Sequence, residues 1–357
     1  FPDFKTYSGK GITDPSAYLK LSITEKGLHA MILSANGTIF IDPYNNQTTN
    51  LVMVYDKKDF DRNGKVMNCL VGDASTNSLE LDGVFKNENA PTPEMMFGDC
   101  QRREFRLAMA ATGEYTAFHG GTVPLALAAI VVSVNRINGV YEQEFGVHLN
   151  LVANNSLIIY TNSATDPYTN NSGSTMLNEN QSNLTTVIGS ANYDVGHVFS
   201  TGGGGIAQLN SPCSASGKAR GVTGSGAPIG DPFDIDYVAH EMGHQFGGNH
   251  TQNNNCNRAL AVETGSGVTI MGYAGICAPD VAAHSIDNFH SSNLIEITNF
   301  LASANAGCRT LVSVPNNSPV ISSSTGNHTI PKSTPFALTC TASDADGDVM
   351  TYNWEQF

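Results

Sequence analysis

The sequence is poor in charge, and what charge it has is acidic. Only 14% of its 357 residues are charged, and 18 Lys and Arg face 32 Asp and Glu, a net charge of −14. No cluster of basic residues occurs, which argues against a nucleic-acid partner. No apolar run reaches the ~18 residues that a membrane-spanning helix needs, residues 123–134 being too short, so we expect no membrane span. The chain begins at Phe1 without a basic and apolar leader, so we expect any signal peptide to have been removed.

Closely spaced cysteine pairs are also missing. The seven cysteines are spread widely, and no C-x-x-C pair of a thiolate zinc site occurs. In a chain rich in Ser, Thr, Asn and Gly, this spread indicates disulfides formed in an oxidising compartment. We therefore predict a secreted, extracellular protein, and the odd count leaves at least one thiol unpaired.

An apolar fraction of 40% permits a sizeable core, and the length predicts two or three domains. Residues 1–99 read as a mainly β unit, with a hairpin in 28–44 around Asn36-Gly37, strands at 51–55 and 79–85, and a linker at 87–93. Residues 100–313 alternate between strands (105–110, 147–152, 157–160, 197–200) and helices (123–145, 178–188), which indicates a mixed α/β domain. Residues 314–357 read as a linker and the start of an incomplete β-sandwich, of an immunoglobulin-like or cadherin-like kind.

The most informative segment is DYVAHEMGHQFGGNHT, residues 236–251. Its apolar spacing predicts a helix, with Asp234 as N-cap and Gly247-Gly248 as the stop. His240 and His244 stand at i and i+4, on one face, where two imidazoles can bind one Zn²⁺. Glu241 lies beside them and can reach a water on the metal without being a ligand.

Glycine at 247 permits a left-handed turn that returns His250 as a third ligand. Three protein nitrogens leave the fourth tetrahedral position open, as catalytic zinc requires. The pattern is H-E-x-x-H-x-x-G-x-x-H, the metzincin signature. Downstream, residues 269–273 (TIMGY) place Met271 as the floor of a zinc site.

With these motifs, residues 103–313 resemble the metzincin zinc peptidases, most closely the bacterial reprolysin-like (adamalysin-related) branch. The resemblance implies an α/β (α+β) domain with a mixed five-stranded sheet, a first long helix at 131–150 and a substrate-pairing edge strand at 205–213. Gly204, Gly205, Ile206 and Ala207 would then bind substrate, and Tyr273 matches a tyrosine that other metzincin branches swing onto the metal. Two features depart from adamalysins: Thr251 stands where they carry Asp, and the cysteine spacing after the helix differs.

The expected function is hydrolysis of peptide bonds in protein or peptide substrates, with one catalytic Zn²⁺ and Glu241 as general base and then acid. Two alternatives stay open at this point. One is a non-catalytic adhesion or surface module that keeps zinc structurally, and the other is a zinc hydrolase of non-protein substrates.

Cys100 precedes Arg102-Arg103 at the start of the catalytic segment. A thiolate there can fill the open zinc position, so we predict a latent proenzyme whose residues 1–99 act as its inhibitor. Asp99 is a rival blocking ligand, and an ordinary disulfide role for Cys100 is a third possibility. Cys69 is less well placed, because it lies far from the junction.

Among the other cysteines, Cys256 and Cys277 flank the segment around Met271 and can pair across it. Cys213 with Cys308 would match the resembling family, which leaves Cys340 free or paired elsewhere. Calcium is a possible second metal: Asp344, Asp346 and Asp348 resemble calcium-supported sandwich loops, whereas residues 59–64 resemble the start of an EF-hand loop but have Leu70 where Glu is required.

Overall fold

A computed structural model of the chain describes residues 3–45, 48–60, 67–71, 98–256, 259–326 and 328–356. The predicted strand at 79–85, the linker at 87–93 and most of the EF-hand-like stretch lie outside the described residues.

The N-terminal segment (residues 3–71) folds as a five-stranded antiparallel sheet in chain order. Its strands are β1 Lys5–Lys10, β2 Tyr18–Thr24, β3 Gly27–Leu33, β4 Ile39–Asn45 and β5 Thr48–Asp56. The predicted hairpin is confirmed as β3 and β4, with Ala30 opposite Ile41 and Gly37 at φ 117° in the connection. A short 3₁₀ turn, Lys57–Asp59, follows β5.

Residues 100–313, which the sequence predicts to be catalytic (the catalytic region), hold a six-stranded mixed sheet. Its strands are β6 Gln101–Ala111, β7 Val147–Leu151, β8 Val195–Ser200, β9 Gly205–Ala207, β10 Gly221–Gly224 and β11 Thr310–Ser313. β6 pairs in parallel with β7 and β8, β10 pairs in parallel with β8, and β9 runs antiparallel to β10 at the edge. The sheet has one strand more than expected, because β11 adds antiparallel to the start of β6.

Helix α1 spans Gly113–Phe118, and the long helix α2 spans Val123–Phe145 as predicted. Thr122 caps the start of α2 by accepting a hydrogen bond from the Leu125 amide, and Gly146 ends it in the left-handed conformation at φ 60°. α2 is long and apolar enough to cross a membrane by composition alone, but 83% of its most apolar window is buried inside the fold. That burial has two sources: the catalytic core on one side and the N-terminal segment on the other, where a Cβ on Gly139 would come within 2.7 Å of Met31.

Two predicted elements differ. The strand expected at 157–160 is a 3₁₀ turn, Asn155–Ile158, followed by one bridge from Ile159 to Ala111; an apolar run this short does not distinguish the two. The helix expected at 178–188 is α3, Gly173–Leu184, continued by a π-helical turn at Thr185–Gly189. Two further 3₁₀ turns lie at Ser190–Asn192 and Ala304–Ala306, and helix α4 spans residues 231–245.

Helix α5, Ser291–Ala302, packs against the core of the catalytic region. Both expected disulfides are present, Cys213–Cys308 and Cys256–Cys277, while Cys69, Cys100 and Cys340 are free. Beyond residue 314, β12 Val320–Ser324 and β13 Cys340–Ser343 pair antiparallel.

Candidate metal centre

The helix that carries the motif, α4, begins earlier than predicted. It starts at Asp231 after Gly230, runs through a π-helical stretch Asp234–Ala239, and continues as His240–Gln245. The predicted N-cap role of Asp234 is therefore wrong. Its buried carboxylate lies inside the helix and accepts hydrogen bonds from Ser133 and Arg136 of α2. The predicted stop is confirmed, since Gly247 adopts φ 102° just after the last turn.

Three histidine side chains converge, all fully buried: His240, His244 and His250. The Nε2 atom of His250 lies 3.2 Å from that of His240 and 3.0 Å from that of His244. Tetrahedral zinc with Zn–N bonds of ~2.05 Å separates its nitrogens by ~3.3 Å. The spacing therefore fits one ion bound by three imidazoles.

Backbone carbonyls fix the orientation of two of these rings. Nδ1 of His240 donates to the Ile270 carbonyl and Nδ1 of His244 to the Gly248 carbonyl, each at 2.7 Å. With the proton on Nδ1, each Nε2 presents a lone pair, as a metal ligand must. Burial, followed by the neighbouring His250, lowers the pKa of His240 to about 3 and that of His244 well below its usual value.

The residues around Met271 pack against the helix that carries His240 and His244. Met271 is fully buried, and a Cβ on Gly243 of α4 would lie 2.6 Å from its sulfur, so glycine there lets the methionine pack under the motif. The Thr251 amide donates to the Met271 carbonyl at 3.3 Å. The chain thus returns from the third histidine directly onto this turn.

Glu263 fixes the loop that carries His250. Its buried carboxylate accepts hydrogen bonds from the hydroxyls of Thr251 and Thr269 and from the amides of Val268 and Thr269. Thr251, which departs from the adamalysin pattern, therefore has a carboxylate partner supplied from elsewhere in the chain. Sequence reasoning missed Glu263, because no motif spacing marks it.

Glu241 is fully buried beside the histidines. Neither carboxylate oxygen accepts a hydrogen bond of ordinary geometry from a described residue. Burial raises its pKa well above the usual range, while the Cys69 thiol opposes that shift. A Cβ on Gly205 would lie 2.0 Å from Oε1 of Glu241, so the edge strand passes directly over this carboxylate.

Tyr273 also reaches the histidines. Its buried hydroxyl lies 3.2 Å from Nε2 of His250, the atom that faces the other two rings. The phenol therefore lies beside the three histidines, and its role toward a metal stays a prediction of the resemblance.

A family match agrees with this geometry. Residues 101–301 match the reprolysin-like M12B family of metallopeptidases. The chain belongs to the M12B reprolysin-like metallopeptidase family. It is also similar to the crystal structure of metalloproteinase-II from Bacteroides fragilis, with a TM-score of 0.42 and 10% identity over 83% of this chain and 86% of that one. No curated protein matches the sequence.

This metallopeptidase brings Cys69, and not Cys100, to the histidines. The Cys69 thiol is buried, and its sulfur lies 3.6 Å from Nε2 of His244. The ligand atoms of Cys69 and the three histidines all lie within 4.8 Å of one another. The four residues together form a Cys-His₃ donor set suited to tetrahedral zinc.

The expected roles of Cys100 and Asp99 are accordingly corrected. The Cys100 thiol contacts the Gly98 carbonyl and the Ser318 hydroxyl, and Asp99 pairs with Arg103. Both lie just before β6 and belong to no cluster with the histidines among the described residues. Adjacency to Arg102-Arg103 at the start of the catalytic segment misled the prediction, because proximity in sequence to a junction does not specify proximity to the metal. The apolar flanks of Cys69 were the signal available for its burial.

The N-terminal segment also occupies the edge strand beside Glu241. The Leu70 amide donates to the Gly205 carbonyl at 2.8 Å, and the Gly205 amide donates to the Asn68 carbonyl at 2.9 Å. Cys69 and Gly205 thereby form a parallel bridge. Of the four predicted substrate-binding residues, Gly205 pairs with this segment, a Cβ on Gly204 would touch Asn68, and Ile206 and Ala207 pack in the same cluster as Cys69.

Proposed function

We propose that this metallopeptidase is a secreted zinc endopeptidase held latent by its N-terminal segment, with Cys69 as the blocking ligand. The observation that carries the proposal is the joint placement of Cys69 on the three histidines and of residues 68–70 on the edge strand. One thiol covers the metal position, and one stretch of backbone covers the edge where a peptide would pair.

His240, His244 and His250 would hold the zinc ion. When bound, zinc supplies Lewis-acid activation of a carbonyl and of a water at the fourth position. Glu241 would take the proton from that water and return it to the leaving amine. Among the described residues only the Cys69 thiol acts on this buried carboxylate, so removal of Cys69 would leave both oxygens available for the transfer. Tyr273 would donate a hydrogen bond to the oxygen that develops negative charge.

An extended peptide would bind by adding a strand to β9, through the amide and carbonyl of Gly205. These backbone groups recognise any extended main chain, so selectivity must come from side-chain pockets. In the latent form Asn68 and Leu70 occupy the same two groups.

Burial, followed by the nearby charge of Glu241, raises the pKa of the Cys69 thiol well above its usual value. A cation at the histidines reverses that preference, since a coordinating thiol is deprotonated. Blocking by Cys69 is therefore coupled to metal occupancy.

A second candidate function is that of a zinc-binding module without catalytic activity, and one observation favours it. A closed set of four Cys and His ligands is also typical of a structural zinc site. The buried carboxylate of Glu241 beside that set favours catalysis, because burying a carboxylate next to the ligands costs free energy that a structural site has no use for.

The test compares the zinc-loaded chain before and after limited cleavage downstream of residue 71, with casein as substrate. We expect hydrolysis only after cleavage, abolished by a chelator and restored by zinc. Glu241→Gln should keep one zinc per chain and lose at least ~10²-fold in rate. A cleaved, zinc-replete chain with no hydrolysis would favour the structural alternative instead.

A further inference from the structure

Lys57 of the N-terminal segment is buried in the catalytic region. Its side chain is 8% exposed, and its ammonium lies 3.0 Å from Oδ1 of Asp231, 3.4 Å from Oδ1 of Asp236 and 2.5 Å from Oδ1 of Asp287. Burial alone would lower the pKa of Lys57, but the three carboxylates raise it, so the ammonium is charged. One positive charge therefore occupies the centre of three buried negative ones.

Among the described residues, Lys57 is the partner of the Asp231 carboxylate. Asp231 is fully buried, and neither of its oxygens has a hydrogen-bond partner in the described part of the chain, so the ion pair with Lys57 compensates it. Asp236 is better supported, since it also accepts a hydrogen bond from the Ser285 hydroxyl. Oxygens of Asp231 and Asp236 and a ring nitrogen of His284 lie within 4.8 Å of one another.

This acidic pocket (Asp231, Asp236 and Asp287) joins two parts of the metal centre. Asp231 and Asp236 lie on α4, the latter four residues before His240. Asp287 lies in the loop whose Asn288 carbonyl accepts from the Ile270 amide, beside Met271. A group that binds all three carboxylates ties the start of the histidine helix to the turn beneath the metal.

Removal of the N-terminal segment would leave these carboxylates without their cation. Three like charges at this separation and depth cannot all stay ionised without compensation. Already, burial and the neighbouring Asp236 and Asp287 raise the pKa of Asp231 well above its usual value against the opposing effect of Lys57. Carboxylate oxygens are the ligands that Ca²⁺ prefers, and oxygens of Asp231 and Asp236 already lie within 4.8 Å of one another.

From this geometry we infer that the acidic pocket is a calcium site of the activated enzyme, which the Lys57 ammonium occupies in the latent form. The inference rests on the proposed removal of the N-terminal segment for its physiological setting. Ca²⁺ would bind Asp231, Asp236 and Asp287, with the Ser285 hydroxyl as a further oxygen. Replacement of the Lys57 ammonium by Ca²⁺ would keep α4 and the Met271 turn aligned after activation.

The intact, zinc-loaded chain tests this without any activity measurement. Lys57→Met removes the ammonium at similar side-chain length, and Lys58→Met is the matched control, since Lys58 is 77% exposed and pairs only with Asp56 among described residues. Calorimetry with CaCl₂ should show one more bound Ca²⁺ in Lys57→Met than in wild type, with a Kd on the order of 10⁻⁴ M. Its Tm should rise by about 5 °C at calcium one-hundredfold above that Kd.

The extra equivalent should disappear when Asp287→Asn or Asp231→Asn is added to Lys57→Met, and Lys58→Met should match wild type. Equal calcium stoichiometry in Lys57→Met and wild type would overturn the inference. A Lys57→Met or Lys57→Gln chain that fails to fold both with and without calcium would also overturn the inference. Ca²⁺ should replace the ammonium and so allow the variant to fold. Since the readout is calcium binding, a chain that proves inactive against peptides still decides the question.

Discussion

Replacement of Cys69 by alanine should activate the intact chain in part. The substitution removes the sulfur from the metal position while leaving the N-terminal sheet, Lys57 and the backbone pairing at Gly205 in place. Activation should be incomplete, because residues 68–70 still cover the edge strand where substrate pairs.

The size of the effect follows from the contacts that are lost and kept. A structural zinc site with four ligands is worth about 10–16 kcal/mol, or about 3 kcal/mol per ligand. At 1.4 kcal/mol per factor of ten, loss of Cys69 raises the open population about a hundredfold. The two backbone hydrogen bonds at Gly205 remain and contribute about 1 kcal/mol each. The fraction of chains with an uncovered edge strand is therefore still about 30-fold lower than in a chain that lacks these bonds.

The assay is hydrolysis of a fluorogenic peptide by zinc-loaded, full-length protein, with mass spectrometry to show that the chain stays intact. Cys100→Ala is the matched control, because that thiol contacts only Gly98 and Ser318 among the described residues. We expect a rise of about a hundredfold for Cys69→Ala and none for Cys100→Ala. The opposite pattern, or an inert Cys69→Ala chain that hydrolyses peptide once cleaved, would refute Cys69 as the blocking ligand.

Further predictions concern the edge strand, the loop and the interface. Gly205→Ala should abolish hydrolysis by the cleaved enzyme, because a Cβ there meets the Glu241 carboxylate, whereas Gly226→Ala, whose Cβ meets nothing within 4 Å, should match wild type in the same assay. Glu263→Ala should lower the free energy of unfolding by about 3 kcal/mol in urea, because four hydrogen-bond donors lose their acceptor. Burial would raise the pKa of Asp42, but Arg136 and then His29 outweigh burial and hold that pKa at about 2. Asp42→Asn should therefore lower the free energy of unfolding of the intact chain by about 2 kcal/mol at pH 7. In acid unfolding, this difference between variant and wild type should vanish as the pH falls from 4 through 2.

The histidine site could be predicted from the sequence because its determinants are local. His240, Glu241 and His244 lie within two turns of one helix, and Gly247 specifies the turn that returns His250. Helical periodicity and one left-handed glycine are sufficient to place four side chains. The helix α2 and the hairpin at Asn36-Gly37 were predictable for the same reason, since a cap, a repeat or a turn residue marks each one.

The contacts between the N-terminal segment and the catalytic region could not be predicted in this way. Cys69 lies 175 residues from His244, and Lys57 lies 230 residues from Asp287. No periodicity within either segment indicates which distant residue its side chain meets. The N-cap prediction for Asp234 failed for a related reason: the buried Arg136 on α2 is its partner, and this tertiary contact outweighs the local preference of Asp for a helix start.

The contacts that would keep this metallopeptidase latent are distributed over the N-terminal segment rather than confined to one thiol. Asp42 pairs with the buried Arg136 at 2.6 Å, Lys57 pairs with the acidic pocket, and residues 68–70 pair with Gly205. Each contact occupies a group that the catalytic region carries for itself: an arginine, a carboxylate cluster and a strand edge. On the proposed latency, loss of the Cys69 ligand alone would leave the segment docked, and full activity would require that the segment leave as a unit. A cut that separates the N-terminal sheet from the catalytic region would allow this. The strand edge would then bind the substrate and the acidic pocket a different cation, whereas Arg136 keeps its ion pair with Asp234.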